Sequence, residues 1–469
     1  MISCQKGIDM SEYIEFFRVE AKSLLKNFRD NDKNAIARCA KVFGERTDLS
    51  LMNMQHVVAK EFGFANWNEL QSAERWQLAA ALIADKNKML KTPLAVDYEK
   101  GALYPFSERK ERICDKPEKR YGLDLVNFTQ TSRNGFVDSF LRLGSLDVSE
   151  CDLAKMDVLS VTYDEYTVWP KEADKLPQGF KPVQFMEERK NPGLGVRALH
   201  KQGINGANRA VAVIEQFLLT DHIEYHDNLK GYEVIYSKED YHGLSGGVSV
   251  SAIVGTNCGV APKADVYYFS ADNRENGQLS LRYYARALDK ICDLHIQLKN
   301  DGKSGIDTVC ILWDVSREID GAAEMKAVLQ RAEELGIWVN SGNYRYSNKL
   351  WRAFRIHCKM GGDVENPDDY EVMPNEPKFS ESQKDLLRSM LCFPAGGRTV
   401  AQADRLDAYQ FDAPGFYRNA YVCGLFVLAR SICPTLTPDE FYRIGLETGD
   451  FRDGTGVIVN PQKLIDALK

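Results

Sequence analysis

The sequence predicts an α/β protein: three layers around a mainly parallel sheet, preceded by a small all-α N-terminal module. Three observations carry that expectation. After residue 205, short and nearly continuous apolar runs alternate with longer amphipathic segments. Before residue 90 the apolar residues recur only at three- and four-residue steps. The chain has 469 residues, 44% of them apolar, which is enough for more than one large core.

Residues 1–90 form the expected helical module. In "DLSLMNMQHVVAKEFGFANWNELQSAERW", Leu51, Met54, Val57, Val58, Phe62, Trp67 and Leu70 follow helical spacing. Gly63 suits a helix end, and Asn66 with Glu69 three positions on is an N-cap signal for the next helix. His56 lies beside the apolar stripe and reads as a structural histidine. Residues 91–190 are expected to be an irregular connecting region packed on the main domain. Pro93, Pro105, Pro117, Pro170, Pro177 and Pro182 interrupt it, and "DVSECDLAKMDVLSV" alternates too weakly to define a strand.

The main domain spans 191–469. Its strands are expected at 210–214 (AVAVI), 264–270 (ADVYYFS), 307–313 (DTVCILW) and 336–340 (GIWVN), apolar throughout as strands covered on both faces must be. Helices are expected at 246–255, 279–298, 321–335 and 417–431; in the third, Met325, Val328, Leu329, Ala332 and Leu335 share a face. Thr437 to Glu440 is a capping box with proline at the first helical position.

Composition narrows the function. Sixty basic against 67 acidic residues give a net charge of -7, which offers no electrostatic footprint for nucleic acid or an anionic membrane. The 11 cysteines include no CxxC pair, against both a disulfide framework and a zinc knuckle. The start has no apolar h-region and no run is long enough to span a bilayer, so a reduced, soluble, cytoplasmic protein without a cofactor is expected.

Four ordered stretches then bear on chemistry: "GINGANRAVAVIEQ", "GGVSVSAIVGTNCGVAPKADVYYFSA", "ELGIWVNSGN" and "YVCGLFVLARSICPTLTPDEF". They resemble the motifs of the subtilisin-like serine peptidases (the peptidase S8, or subtilase, family) from about residue 190 to the C-terminus. The likeness extends to a clostridial-type branch through Gln216, Leu218, Leu219, Asp221, His222, Glu224, Tyr225, Asp227 and Leu229.

The resemblance implies a subtilisin-like fold, and it places Glu215 where the family has its Asp, Gly246 where it has His, and Phe416 where it has the nucleophilic Ser. Asn343, in "SGN", matches the side-chain donor of the oxyanion hole. Acyl transfer needs an oxygen or sulfur nucleophile, a base to deprotonate it and a third group to hold the base. Phenylalanine has no proton to lose and glycine supplies no imidazole. The resemblance therefore implies an inactive pseudopeptidase that binds a protein or peptide partner, with Trp313, Phe416 and Asn343 as candidate binding residues and strand addition as the mode.

Two other readings stand beside it. The first is an active serine-type hydrolase with a relocated base or nucleophile. His242 lies four residues, about one helical turn, before Gly246. Gly243 to Gly247 satisfies the G-x-S-x-G pattern at Ser245, although no strand runs into it, and Ser245 also suits an N-cap for a helix starting at Gly246. The second is a structural protein docking through its helical module. Asp221, His222, Glu224, His226 and Asp227 match no standard zinc spacing and read as loop structure. The acidic turns at 361–371 and 449–456 read as solvated loops, with a structural calcium ion as the alternative.

Overall fold

The computed structural model describes residues 10–73, 78, 95–96, 103–104, 118–119, 130–131, 137–138, 141–236, 244–275, 278–341, 345–346, 349–350, 352–373, 384–403, 407–413 and 418–469. The chain forms two compact units, residues 1–109 with 232–238, and residues 110–231 with 239–469.

In the first unit, helices α1 (Met10–Arg29), α2 (Lys33–Phe43), α3 (Leu51–Glu61) and α4 (Trp67–Ser72) follow the predicted periodicity. Met54, Val57 and Val58 of α3 join Phe17, Leu24 and Leu70 in one core, and the Phe17 ring meets Phe62 edge-on at 5.0 Å. Asn66 caps α4 by accepting from the Glu69 N–H at 3.0 Å, and Gly63 takes the left-handed conformation (φ 87°) that lets the chain turn after α3. His56 rests against the Phe43 ring at 5.8 Å.

The second unit holds strands β1 (Leu141–Arg142), β2 (Val161–Asp164) and β3 (Ala210–Glu215), helix α5 (Leu244–Val254), β4 (Asp265–Ala271), α6 (Arg282–Asn300), β5 (Thr308–Ile311), α7 (Ala322–Glu334), β6 (Trp338–Asn340), β7 (Arg398–Ala401), β8 (Tyr409–Asp412), α8 (Arg418–Ile432) and α9 (Pro438–Thr448). Its central strands run parallel in the order β4-β3-β5-β6. Every residue of β3 and β5 is buried. The cover comes from two helix pairs: α5 and α8 pack on each other and on β3, while α6 and α7 pack on each other, with α6 against β3 and β4 and α7 against β6. That is the three-layer α/β fold the apolar runs predict. Each fully buried Val or Ile in those strands contributes roughly 1.5–3 kcal/mol.

The predicted elements differ from the observed ones mainly at their ends. Helix α5 starts at Leu244, so Ser245 sits inside its first turn and does not cap it; first-turn N–H groups need no intrahelical acceptor, so the turn can close earlier than a cap signal suggests. Strand β5 ends at Ile311, which leaves Trp313 two residues beyond it. Ahead of α9 the capping box is present, with Thr437 N–H to Glu440 Oε2 at 2.9 Å and Glu440 N–H to Thr437 Oγ1 at 3.3 Å.

Residues 141–190 contribute regular structure of their own. β2 pairs antiparallel with β8, Tyr163 opposite Phe411, in a sheet ordered β7-β8-β2-β1. The Tyr163 ring contacts Trp169 at 5.0 Å, Phe180 at 5.9 Å and Phe411 at 5.3 Å. Buried Asp164 accepts from Ser145 N–H and Oγ (each 2.8 Å), Tyr166 N–H (3.0 Å) and Gln402 Nε2 (2.8 Å), tying loops on both sides of β2. Among the described residues no helix is long and apolar enough to cross a membrane.

Four histidines of this unit make its stability pH-dependent. Burial pushes His200, His222, His295 and His357 below the ordinary imidazole value of 6.5. They fold neutral, so as pH falls below 6.5 the unfolded chain binds more protons and stability is lost. The urea midpoint is expected to be lower at pH 6 than at pH 7.5, and an equal or higher midpoint at pH 6 contradicts this. Burial raises Asp221 and Glu165, whose protonation offsets part of the loss at lower pH, so the comparison is made at pH 6 and above.

Candidate functional site

From β3 the chain crosses to β4 on one side, then returns to β5 on the other and continues to β6. The direction of winding reverses between β3 and β5, and in open α/β sheets the crevice outside the carboxyl ends at such a point is where ligands bind. Glu215 is the last residue of β3, so the strand delivers its carboxylate to that crevice.

Glu215 is only 3% exposed, and its Oε1 accepts from the Gln216 N–H at 3.0 Å. Ser270 lies opposite it in the β3–β4 register, and Asp272 and Asn273 follow just past the end of β4. Asp272 is a second buried carboxyl, and the pair makes itself felt at Tyr284: burial pushes that phenol up, and the Glu215 and Asp272 charges push it further. Cys310 on β5 is raised too, first by its hydrogen bond with Cys423, then by burial, with the Glu215 charge adding. The motifs singled out Glu215 and missed Asp272 and Asn273, which continue a plain apolar strand; their position just beyond a parallel strand's carboxyl end is the only signal that could have found them.

Gly246, in the first turn of α5, is packed against the crevice wall. A Cβ built there would meet the Tyr268 hydroxyl, with the Phe217 carbonyl oxygen at 2.8 Å and the Gln216 carbonyl oxygen at 3.2 Å. The Tyr268 hydroxyl in turn donates to the Gln216 carbonyl. The position that the sequence motifs align with the general base is occupied by a phenol and two carbonyls.

Trp313 is half-buried beyond β5. With the Asn273 amide oriented to satisfy both neighbours, Trp313 Nε1 donates to it at 2.7 Å and the amide donates to Asp272 Oδ1 at 3.1 Å. The Arg317 guanidinium stacks on the indole, 4.8 Å from the ring centre. Helix α8 is fixed here as well, because buried Asn419 in its first turn donates to the Ile311 carbonyl at the end of β5 at 2.8 Å. That anchor points a helix N-terminus at the sheet's carboxyl edge. Phe416, Asn343 and His242 lie outside the described residues, as does the side chain of Ser245.

The loop after β3 is structural. His222 Nδ1 accepts from the Glu224 N–H at 3.1 Å and Nε2 donates to the Ala408 carbonyl at 2.9 Å, so both ring nitrogens are used. Glu224 is fully buried and accepts from Tyr409 Oη (2.5 Å), Asn257 Nδ2 (2.6 Å), Asn257 N–H (3.0 Å) and Cys258 Sγ (3.1 Å). Burial pushes its carboxyl up, but these hydrogen bonds outweigh it and hold Glu224 below the ordinary value, ionised inside the fold. Asp227 is nearly fully exposed beside His226, at 3.2 Å. Among the described residues no group of three or more His, Cys, Asp or Glu side chains is placed to hold a metal ion.

The crevice offers two carboxyls, an amide, an indole and a guanidinium, with no imidazole among the described residues that line it.

No protein-family model matches the chain, and no curated protein matches its sequence. Solved structures with similar folds include that of the prenylagaramide maturation protease PagA, 13% identical with a TM-score of 0.41 over 59% of this chain and 98% of that one. They also include fervidolysin from Fervidobacterium pennivorans, a keratinolytic enzyme related to subtilisin (14%, TM-score 0.40, 58% of this chain and 45% of that one). A third is the A-subunit of the AB5 toxin from E. coli (13%, TM-score 0.43, 59% of this chain and 98% of that one).

Proposed function

We propose that the chain is a subtilisin-like pseudopeptidase whose crevice binds an extended segment of a partner protein without cleaving it. One observation carries the reading: Gly246, where the motifs require the general base, has no room for any side chain beneath Tyr268 and the 216–217 carbonyls. The sequence adds Phe416 at the nucleophile position. A chain in this crevice would be held by backbone hydrogen bonds and by contact with Trp313, the one large half-buried aromatic beyond β5 among the described residues.

The test is binding of extended peptides, selected from a display library and measured by fluorescence anisotropy. Trp313→Ala is expected to weaken the selected peptide about tenfold or more, as loss of a central aromatic anchor does. Unchanged affinity sinks the crevice reading. If capture of a partner instead survives Trp313→Ala and is lost on Met52→Glu, at a residue 74% exposed on α3, the helical module is the docking surface.

A further inference from the structure

A cavity of 430 Å³ lies beside the short helix Pro182–Glu188, and its wall includes Lys181, Gln184, Phe185, Glu188, Arg189 and Met360. That volume falls within the roughly 300–1,000 Å³ of small-molecule sites. Arg189 is only 3% exposed. Its Nη1 donates to the Cys358 carbonyl at 3.1 Å and its Nη2 to the Lys359 carbonyl at 2.7 Å, and the guanidinium carbon lies 4.8 Å from the centre of the Phe185 ring. These contacts fix the plane of the group and use two of its five N–H donors.

None of them supplies a negative charge. An arginine stays ionised when buried, and two neutral carbonyls do not balance it. Acidic side chains of the neighbouring turn and strand are engaged elsewhere: Asp369 accepts from the Asp363 N–H at 3.0 Å and from Asn366 Nδ2 at 3.2 Å, and Glu371 meets His357 Nε2 at 3.3 Å. Glu188, in the cavity wall, accepts from Gln184 Nε2 at 2.8 Å. Neither Glu188 nor Lys181, both exposed, forms an ion pair with a described residue. Two cations and one carboxylate leave the wall with one positive charge in excess. The apolar part of the wall is of two kinds. The Phe185 ring is held between Phe180 at 5.6 Å and Phe411 at 5.1 Å, while Met360 is a flexible thioether 38% exposed.

We propose that this cavity binds a small monocarboxylic acid with an apolar body, its carboxylate on Arg189 with Lys181 adding charge, and its body against Met360 and Phe185. A dianion such as sulfate would exceed the single charge in excess and would leave Met360 uncovered. No wall residue belongs to the crevice, so the proposal does not depend on what the crevice binds.

Fluorine NMR of a fluorinated phenylpropionate added to the full chain tests it. The acid is expected to show saturable line broadening that its neutral primary amide does not. Lys181→Glu and Arg189→Gln are each expected to weaken it about tenfold or more, as loss or reversal of a charge-assisted contact does, while Trp313→Ala leaves it unchanged. Absence of saturable broadening, equal broadening by the amide, or wild-type affinity in Lys181→Glu overturns the proposal. Should Arg189→Gln fail to fold, Lys181→Glu, at an exposed position, decides by itself. Tighter binding of a short peptide ending in phenylalanine with a free carboxylate would overturn the assignment to a small molecule.

Discussion

Asp307→Ala is expected to lose about 3–5 kcal/mol of stability, because it strips the shared counter-charge from two largely buried arginines. Asp307 is 1% exposed, immediately before β5. Arg209, just ahead of β3, donates Nε to Oδ2 at 2.7 Å and Nη2 to Oδ1. Arg430, in the last turn of α8, donates Nε to Oδ1 at 3.2 Å and Nη1 to the Leu436 carbonyl at 2.8 Å. One carboxylate thus ties the amino ends of two central strands to the C-terminal end of a covering helix, where a cation is also favoured by the helix dipole. The side chains of Arg209 and Arg430 are 12% and 16% exposed, too little for water to replace the lost partner. Urea unfolding followed by fluorescence should show the drop, and a loss below about 1 kcal/mol would mean that the arginines find other partners.

The second large effect is at Gly246. Gly246→Ala is expected to lose about 2–3 kcal/mol as an overpacked substitution, and Gly246→His more. Two of the atoms a Cβ would meet are main-chain carbonyls of residues 216 and 217, fixed directly after the fully buried strand β3, so relief by backbone shift is resisted. The third atom, the Tyr268 hydroxyl, can be removed: Tyr268→Phe in the Gly246→Ala background should recover part of the loss while the carbonyl contacts keep the rest. Melting temperatures of the two single variants and the double variant check this. A Gly246→Ala protein as stable as wild type would mean that the position is open, and the proposal of a silent crevice would then rest on Phe416 alone.

Strand β3 was legible because it is buried at every residue, and helices α6 and α7 because each buries one face: an apolar run or stripe is the direct imprint of the core on sequence. The Thr437 and Asn66 caps were legible for a different reason, since each is a local hydrogen-bond pattern complete within four residues. Strand β2 was not, because Val161–Asp164 takes its partner from β8, some 250 residues away, and its one polar buried member, Asp164, reads as a loop residue until Ser145, Tyr166 and Gln402 converge on it. At the candidate site, Glu215 and Gly246 could be found from motifs. The closure of the Gly246 position could not, since it depends on Tyr268 from the neighbouring strand reaching over the end of β3. Asp272 was invisible for the same reason, being significant only through its nearness to Glu215 and Tyr284.

The most direct measurement is intact-mass spectrometry of the purified protein after incubation with a fluorophosphonate, which attaches covalently to a serine activated by a neighbouring base. A catalytically silent crevice predicts an unchanged mass. A single phosphonyl adduct that disappears in Ser245→Ala or His242→Ala would contradict it, and would mean that a nucleophile and a base meet in this protein at positions other than 416 and 246.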